Sequence, residues 1–243
     1  MLKKLLRYEF LSFHPILFLP YPLALGFAAL LRFSNDPQSL IYSLASTFYT
    51  MSIFALVLLT VFHIFRRFRS SLLGAEGHVS HSLPVSIGEH IVAKLIPATL
   101  FAGLSLFFMG LSAYILPPQT PLVAEFPFGL KMFFEPFQNQ GLTLIFSLIS
   151  GVLTLIMTVL SLYSALSIGQ MMRRSKLLWS FLVFLGLNFL LASTFMAILE
   201  VLSAFLPATE TMAYFVLLLG ALLQIFVHFS IVRGMLSFKL NLR

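Results

Sequence analysis

Six long apolar stretches, at about 14–33, 41–65, 91–116, 141–169, 177–206 and 211–232, divide the chain, and the cations between them fall on alternate sides. Lys3, Lys4 and Arg7 precede the first stretch. Arg66, Arg67, Arg69 and Lys94 lie between, or at the ends of, the second and third. Arg173, Arg174 and Lys176 join the fourth to the fifth, and Arg233, Lys239 and Arg243 follow the sixth. Of the 15 Lys and Arg, only Arg32 and Lys131 fall on the other side. Cytoplasmic segments of membrane proteins hold the excess of Lys and Arg. The pattern therefore predicts six spans, a multi-pass location in the cell membrane and both termini in the cytoplasm. A single missed helix would scramble the sides. The acids lean the other way: Asp36, Glu125, Glu135, Glu200 and Glu210 are outside or near it, and Glu9, Glu76 and Glu89 inside.

Backbone polar groups cannot be left bare in hydrocarbon, so spanning segments are helices or strands of a closed barrel. Runs of about 20 apolar residues suit helices and exclude the short alternating strands of a barrel. The expected fold class is all-α integral membrane, a single domain over 1–243. The fourth and fifth stretches exceed one crossing, so they tilt, run past the bilayer or break. Only 9% of residues are charged, against about 25% in soluble domains. The net charge of +7 is the excess of the inner side. It favours anionic lipid headgroups and predicts no nucleic-acid partner. The chain has no cysteine, which removes disulfides, thiolate nucleophiles and Cys-ligated metals.

Residues 1–12 set Leu2, Leu5, Leu6, Phe10 and Phe13 against Lys3, Lys4 and Arg7, the pattern of an interfacial helix lying on the inner leaflet. No small-x-small site ends the first apolar run, so this segment is expected to be retained. Asp36-Pro37 predicts the start of helix two. Ser86 to Glu89 has the spacing of a capping box opening helix three. Glu210 falls in the first turn of helix six, where the helix dipole favours an acid.

Several activities lack their residues. There is no phosphate-binding G-x-x-x-x-G-K-[ST], no H-E-x-x-H and no G-x-S-x-G, so no catalytic residue is expected on this chain. His78 and His81 lie a turn apart without a third ligand, and no metal site is expected. Ionisable residues inside membranes are functional candidates. Here His63, Glu200, and His228 with Gln224 have no evident counter-charge, which counts against a carrier driven by protons or sodium. Helix four carries a polar stripe, Ser150, Thr154, Thr158 and Ser161, continued by Ala165. It reads as tight helix packing through small residues, as a pathway wall or as a dimer face. The outer loop 117–140 alternates prolines with phenylalanines and reads as an aromatic segment at headgroup level or as an external gate.

The inner loop after helix two reads Arg66-Arg67-Phe68-Arg69, Gly74-Ala75-Glu76-Gly77 and Ser82-Leu83-Pro84-Val85-Ser86, with Lys94 near the start of helix three. This order of a basic run, a Gly-x-Glu core, a Leu-Pro-Val element and a lysine resembles the membrane subunits of ATP-binding-cassette exporters, the ABC type-2 permease family. The amphipathic opening, Leu2 to Phe10, is similar to the family's connecting helix. The resemblance implies a cytoplasmic coupling helix between helices two and three. In it Leu72, Leu73, Gly74, Glu76, Gly77, Leu83 and Pro84 would contact the ATPase subunit, with Glu76 as polar anchor and Leu72, Leu73 and Leu83 as packing face. Arg66, Arg67 and Arg69 would hold the loop at the headgroups. It further implies that ATP and Mg are bound by a separate ATP-binding cassette subunit. A second permease subunit, identical or not, would complete the membrane part, in contact with membrane lipid. The cargo would be amphipathic: a peptide antibiotic, a drug or a lipid-like molecule. The chain departs from the family in its short link between helices five and six, where many members carry a re-entrant element. Here residues 195–207 would have to supply it. A secondary transporter, or a membrane assembly factor that transports nothing, is the alternative.

Overall fold

The computed structural model describes residues 2–11, 18–34, 39–70, 86–116, 142–172, 175–203 and 210–240. They form seven α-helices: α1 (Leu2–Leu11), α2 (Pro20–Phe33), α3 (Leu40–Phe68), α4 (Ile87–Ile115), α5 (Leu142–Gly169), α6 (Lys176–Ser203) and α7 (Glu210–Leu240). No strand occurs among the described residues. The five helices α3 to α7 are long and apolar enough to cross a membrane. The first expected span is represented by α2, whose 14 residues reach about 21 Å, short of a hydrocarbon core of roughly 30 Å. Residues 12–17, which precede it, lie outside the described residues. α3 and α4, with 29 residues each, run about 43 Å and overshoot such a core by roughly two turns.

Local chemistry sets the helix ends. α3 is described from Leu40; Asp36 and Pro37, where the sequence places its start, lie outside the described residues. Ser39 is its N-cap, and the Ser39 hydroxyl accepts the Tyr42 N–H at 3.2 Å. α4 begins with the expected capping box. The Ser86 hydroxyl accepts the Glu89 N–H at 3.3 Å, and the Glu89 carboxylate accepts the Ser86 N–H at 3.0 Å. α7 is described from Glu210 to Leu240, and residues 204–209 before it lie outside the described residues. The reversal between α5 and α6 is tight. Ser175 sits at φ 51°, a left-handed conformation that costs a non-glycine residue about 1–2 kcal/mol. The two helices also approach closely there: a Cβ added at Gly169 would lie 2.7 Å from the Ser180 Cα.

The bundle has two halves. α2 packs along α3 and α4, and α7 packs along α5, which also carries α6. One core joins the halves, built from Ile64 and Phe68 of α3, Ile91 and Ala98 of α4, Val159, Leu160, Tyr163 and Leu166 of α5, and Val232 and Leu236 of α7. All of these lie toward the C-terminal ends of α3, α5 and α7 and the N-terminal end of α4, which is the cation-rich end. Toward the other end the buried clusters among the described residues contain α2, α3 and α4 residues and Leu116: Ala28, Leu31, Ala45 and Tyr49 with Leu116, then Tyr21, Leu56 and Met109. α6 lies at the edge, and its central apolar stretch has no buried residue.

Candidate functional site: a buried charge cluster

Arg7, Arg66, Arg69, Lys176 and Arg233 are exposed around the cation-rich end. Two further cations turn inward. Arg67 Nε donates to Glu9 Oε2 at 2.8 Å, and Lys94 Nζ donates to Glu9 Oε1 at 2.5 Å. Glu9 and Lys94 are about 5% exposed, and the Arg67 side chain 21%. One carboxylate thus gives an oxygen to each of two cations from two different helices. Removing such ions from water costs several kcal/mol each, repaid only by close and well-oriented partners.

The surroundings hold this arrangement. The Arg67 guanidinium lies 5.4 Å from the centre of the Tyr8 ring, within cation–π range. The Phe68 ring stacks on Tyr163 at 4.0 Å, and the Tyr163 hydroxyl donates to the Lys94 carbonyl at 3.2 Å. α1, α3, α4 and α5 therefore meet within a few ångströms. Arg67, expected at the headgroups with Arg66 and Arg69, belongs to this cluster instead. The reason is register: on a helix ending at Phe68 it shares a face with Ile64 and Thr60, which are buried.

The burial of Glu9 was legible in the sequence. Leu2, Leu5, Leu6 and Glu9 fall at the helical spacing of one face, so the acid occupies the apolar stripe of α1. The structure buries that residue and leaves Phe10, expected on the apolar face, 45% exposed. A carboxylate inside an apolar stripe is the signal that called for buried cations elsewhere.

Away from the charges, hydroxyl groups bridge the helices of the first half. Ser105 of α4 meets the Tyr21 hydroxyl of α2 at 2.8 Å and the Thr60 hydroxyl of α3 at 2.9 Å. Tyr49 of α3 meets Ser112 of α4 at 3.2 Å. At the far end Arg32 donates to the Ile115 carbonyl at 3.2 Å, so this cation satisfies a carbonyl at the C-terminus of α4. In the second half His228, expected to share a face with Gln224, finds its partner in Ser164, whose hydroxyl lies 3.0 Å from Nδ1. His63 packs against the Phe101 ring at 5.7 Å, and Glu200 lies on an exposed face of α6.

The stripe on α5 divides. Ser150 is half-buried, Thr154 and Thr158 are exposed, and Ser161 and Ala165 are buried. Thr154, Thr158 and Ser161 each donate back to a carbonyl of their own helix at 2.8 Å. Self-satisfied hydroxyls of this kind sit at low cost against lipid, a second subunit or a water-filled path. Leu72, Leu73, Gly74, Glu76, Gly77, Leu83 and Pro84, and the outer loop 117–140, lie outside the described residues. No group of His, Asp or Glu suited to a metal occurs among the described residues.

A cleft of about 800 Å³ opens at the same end, between Ser86, Gly88 and Glu89 on α4 and Phe229, Arg233 and Gly234 on α7. It lies where the described chain resumes after residues 71–85. In comparisons with known proteins, no family model, no curated protein and no solved structure matches the chain.

Proposed function

We propose that this chain is the membrane subunit of an ATP-binding-cassette exporter. It would cross the cell membrane six times with both termini in the cytoplasm and carry the energy of ATP hydrolysed on a separate subunit to an amphipathic cargo. Peptide antibiotics, drugs and lipid-like molecules have that character. The working assembly would hold two membrane subunits and two ATPase subunits, with ATP and Mg on the latter.

One observation carries this reading. The segment that resembles a coupling helix, 71–85, is rooted in the best-fastened part of the molecule. Its first root, the end of α3, bears Arg67, and its second, the start of α4, bears the capping box and Lys94; Glu9 ties both to α1. A lever on loose roots would dissipate a push, whereas a lever on these roots would pass it into two long helices. Closure of an ATPase dimer on ATP would then tilt the spans between two discrete arrangements. The single core joining the halves at this end suits such a motion, because the opposite ends share no buried cluster among the described residues.

The reading is tested by purifying the tagged chain from its own cells in mild detergent. A stoichiometric partner with a phosphate loop is the expected result. Substrate flux driven by an ion gradient in liposomes holding this chain alone would support the carrier alternative, and a tag at Gly77 found on the cell exterior would remove the topology.

A further inference from the structure

An amphipathic helix resting on a leaflet needs only an apolar face. α1 carries more than that. Its face toward the bundle holds a carboxylate, and the two oxygens are shared between a cation at each root of the 71–85 segment. Buried ion pairs add little net stability compared with apolar contacts of similar size, but they are directional and best attested as devices that fix register. Apolar contacts alone would let α1 roll. A roll by one residue, roughly 100° on a helix, would carry Glu9 away from Arg67 and Lys94 and strip both of their carboxylate. Tyr8 and Phe10, the neighbours on either side, are 64% and 45% exposed, so packing opposes such a roll only weakly.

We infer that Glu9 is a positioning residue that makes α1 and both roots of the 71–85 segment move as one body. The inference rests on the permease reading for the displacement, though the fastening of α1 can be measured without it.

The absence of cysteine allows spin labels to be placed without background. Labels at Arg7→Cys and Arg69→Cys, both exposed, report α1 against the end of α3 in lipid nanodiscs. The expected result is one narrow distance distribution, at least twofold broader in Glu9→Gln. Lys94→Gln, which removes one of the two cations and keeps the carboxylate on Arg67, should broaden the distribution less than Glu9→Gln, which loosens both roots. An unchanged width in Glu9→Gln overturns the inference, as does equal broadening in the two variants. In the complex with its ATPase partner, ATP and vanadate should shift the 7–114 and 69–114 distances together, with labels at Tyr114→Cys on the far end of α4, and leave the 7–69 distance fixed. A shift of 69–114 without 7–114 defeats the one-body inference alone. No shift in either, or no partner that hydrolyses ATP, defeats the permease reading, and the 7–69 width still decides whether Glu9 pins α1.

Discussion

At the cation-rich end, α3, α4, α5 and α7 share one core, and ionised side chains fasten α1 to it. At the opposite end the buried clusters among the described residues draw on α2, α3, α4 and Leu116, and the polar contacts described there are between neutral hydroxyls or from Arg32 to a carbonyl. The contrast separates two ways of handling polar groups in an apolar bundle. A hydroxyl can return its hydrogen to its own helix, as Thr154 and Thr158 do, so it constrains its neighbours little. A buried charge has no such local remedy and forces distant segments to one place. The end with charges is therefore the end where the halves join.

Substitutions can break this contrast, and the expected effects fall in order. Glu9→Gln leaves the buried Lys94 and the partly buried Arg67 without their carboxylate. Breaking a buried pair costs about 3–5 kcal/mol, which thermal unfolding of the purified protein should register as the largest loss of the series. An unchanged transition would mean that the charges contribute nothing to joining the ends. Gly169→Leu comes next, because its side chain would meet the Ser180 backbone. Overpacking of this kind costs about 1–3 kcal/mol, and cross-linking between α5 and α6 should report the separation. Ser105→Ala removes the centre of the hydroxyl bridge among α2, α3 and α4. Interhelical hydrogen bonds in membranes average about 0.6 kcal/mol with a maximum near 1.7, so its effect should be clearly smaller than that of Glu9→Gln. A loss of equal size would erase the distinction drawn between the two ends.

The smallest change in stability belongs to Thr154→Val with Thr158→Val, within about 0.5 kcal/mol, because both side chains are exposed and satisfied within α5. Transport by the assembled complex sharpens the comparison at this site. A fall in flux with stability intact assigns the stripe to a pathway or dimer face, and unchanged flux assigns it to the lipid surface. Glu76→Ala and Leu83→Ala should also leave stability unchanged, yet abolish transport-linked ATP turnover in the same assay.

Much of this architecture was legible because apolar length and loop charge are strong, nearly independent signals. The sequence pattern anticipates the apolar helices α3 to α7 and the capping box at Ser86. The buried cluster was not anticipated, for a physical reason. Glu9, Arg67 and Lys94 are far apart in the chain, and periodicity reports which face of a helix is apolar but not which distant helix that face meets. Only the acid in the stripe of α1 hinted at it. The pairing of His228 with Ser164 was hidden in the same way. By spacing the α5 stripe is one face, since Thr154 and Ser161 lie seven residues and so only about 20° apart, but only its Ser161 end reaches the core where the halves pack, so Ser161 is buried and Thr154 exposed.

Pro97 lies within α4, one turn beyond Lys94. Proline has no amide hydrogen to return to the carbonyl four residues back, so α4 lacks one rung of its ladder at Ala93. The adjoining Lys94 carbonyl takes its extra hydrogen from Tyr163, on the other half of the bundle. Helices bend most readily at such gaps. The first turns of α4 can thus lean relative to the remainder of the helix, and the phenol of Tyr163 is placed to feel that lean first.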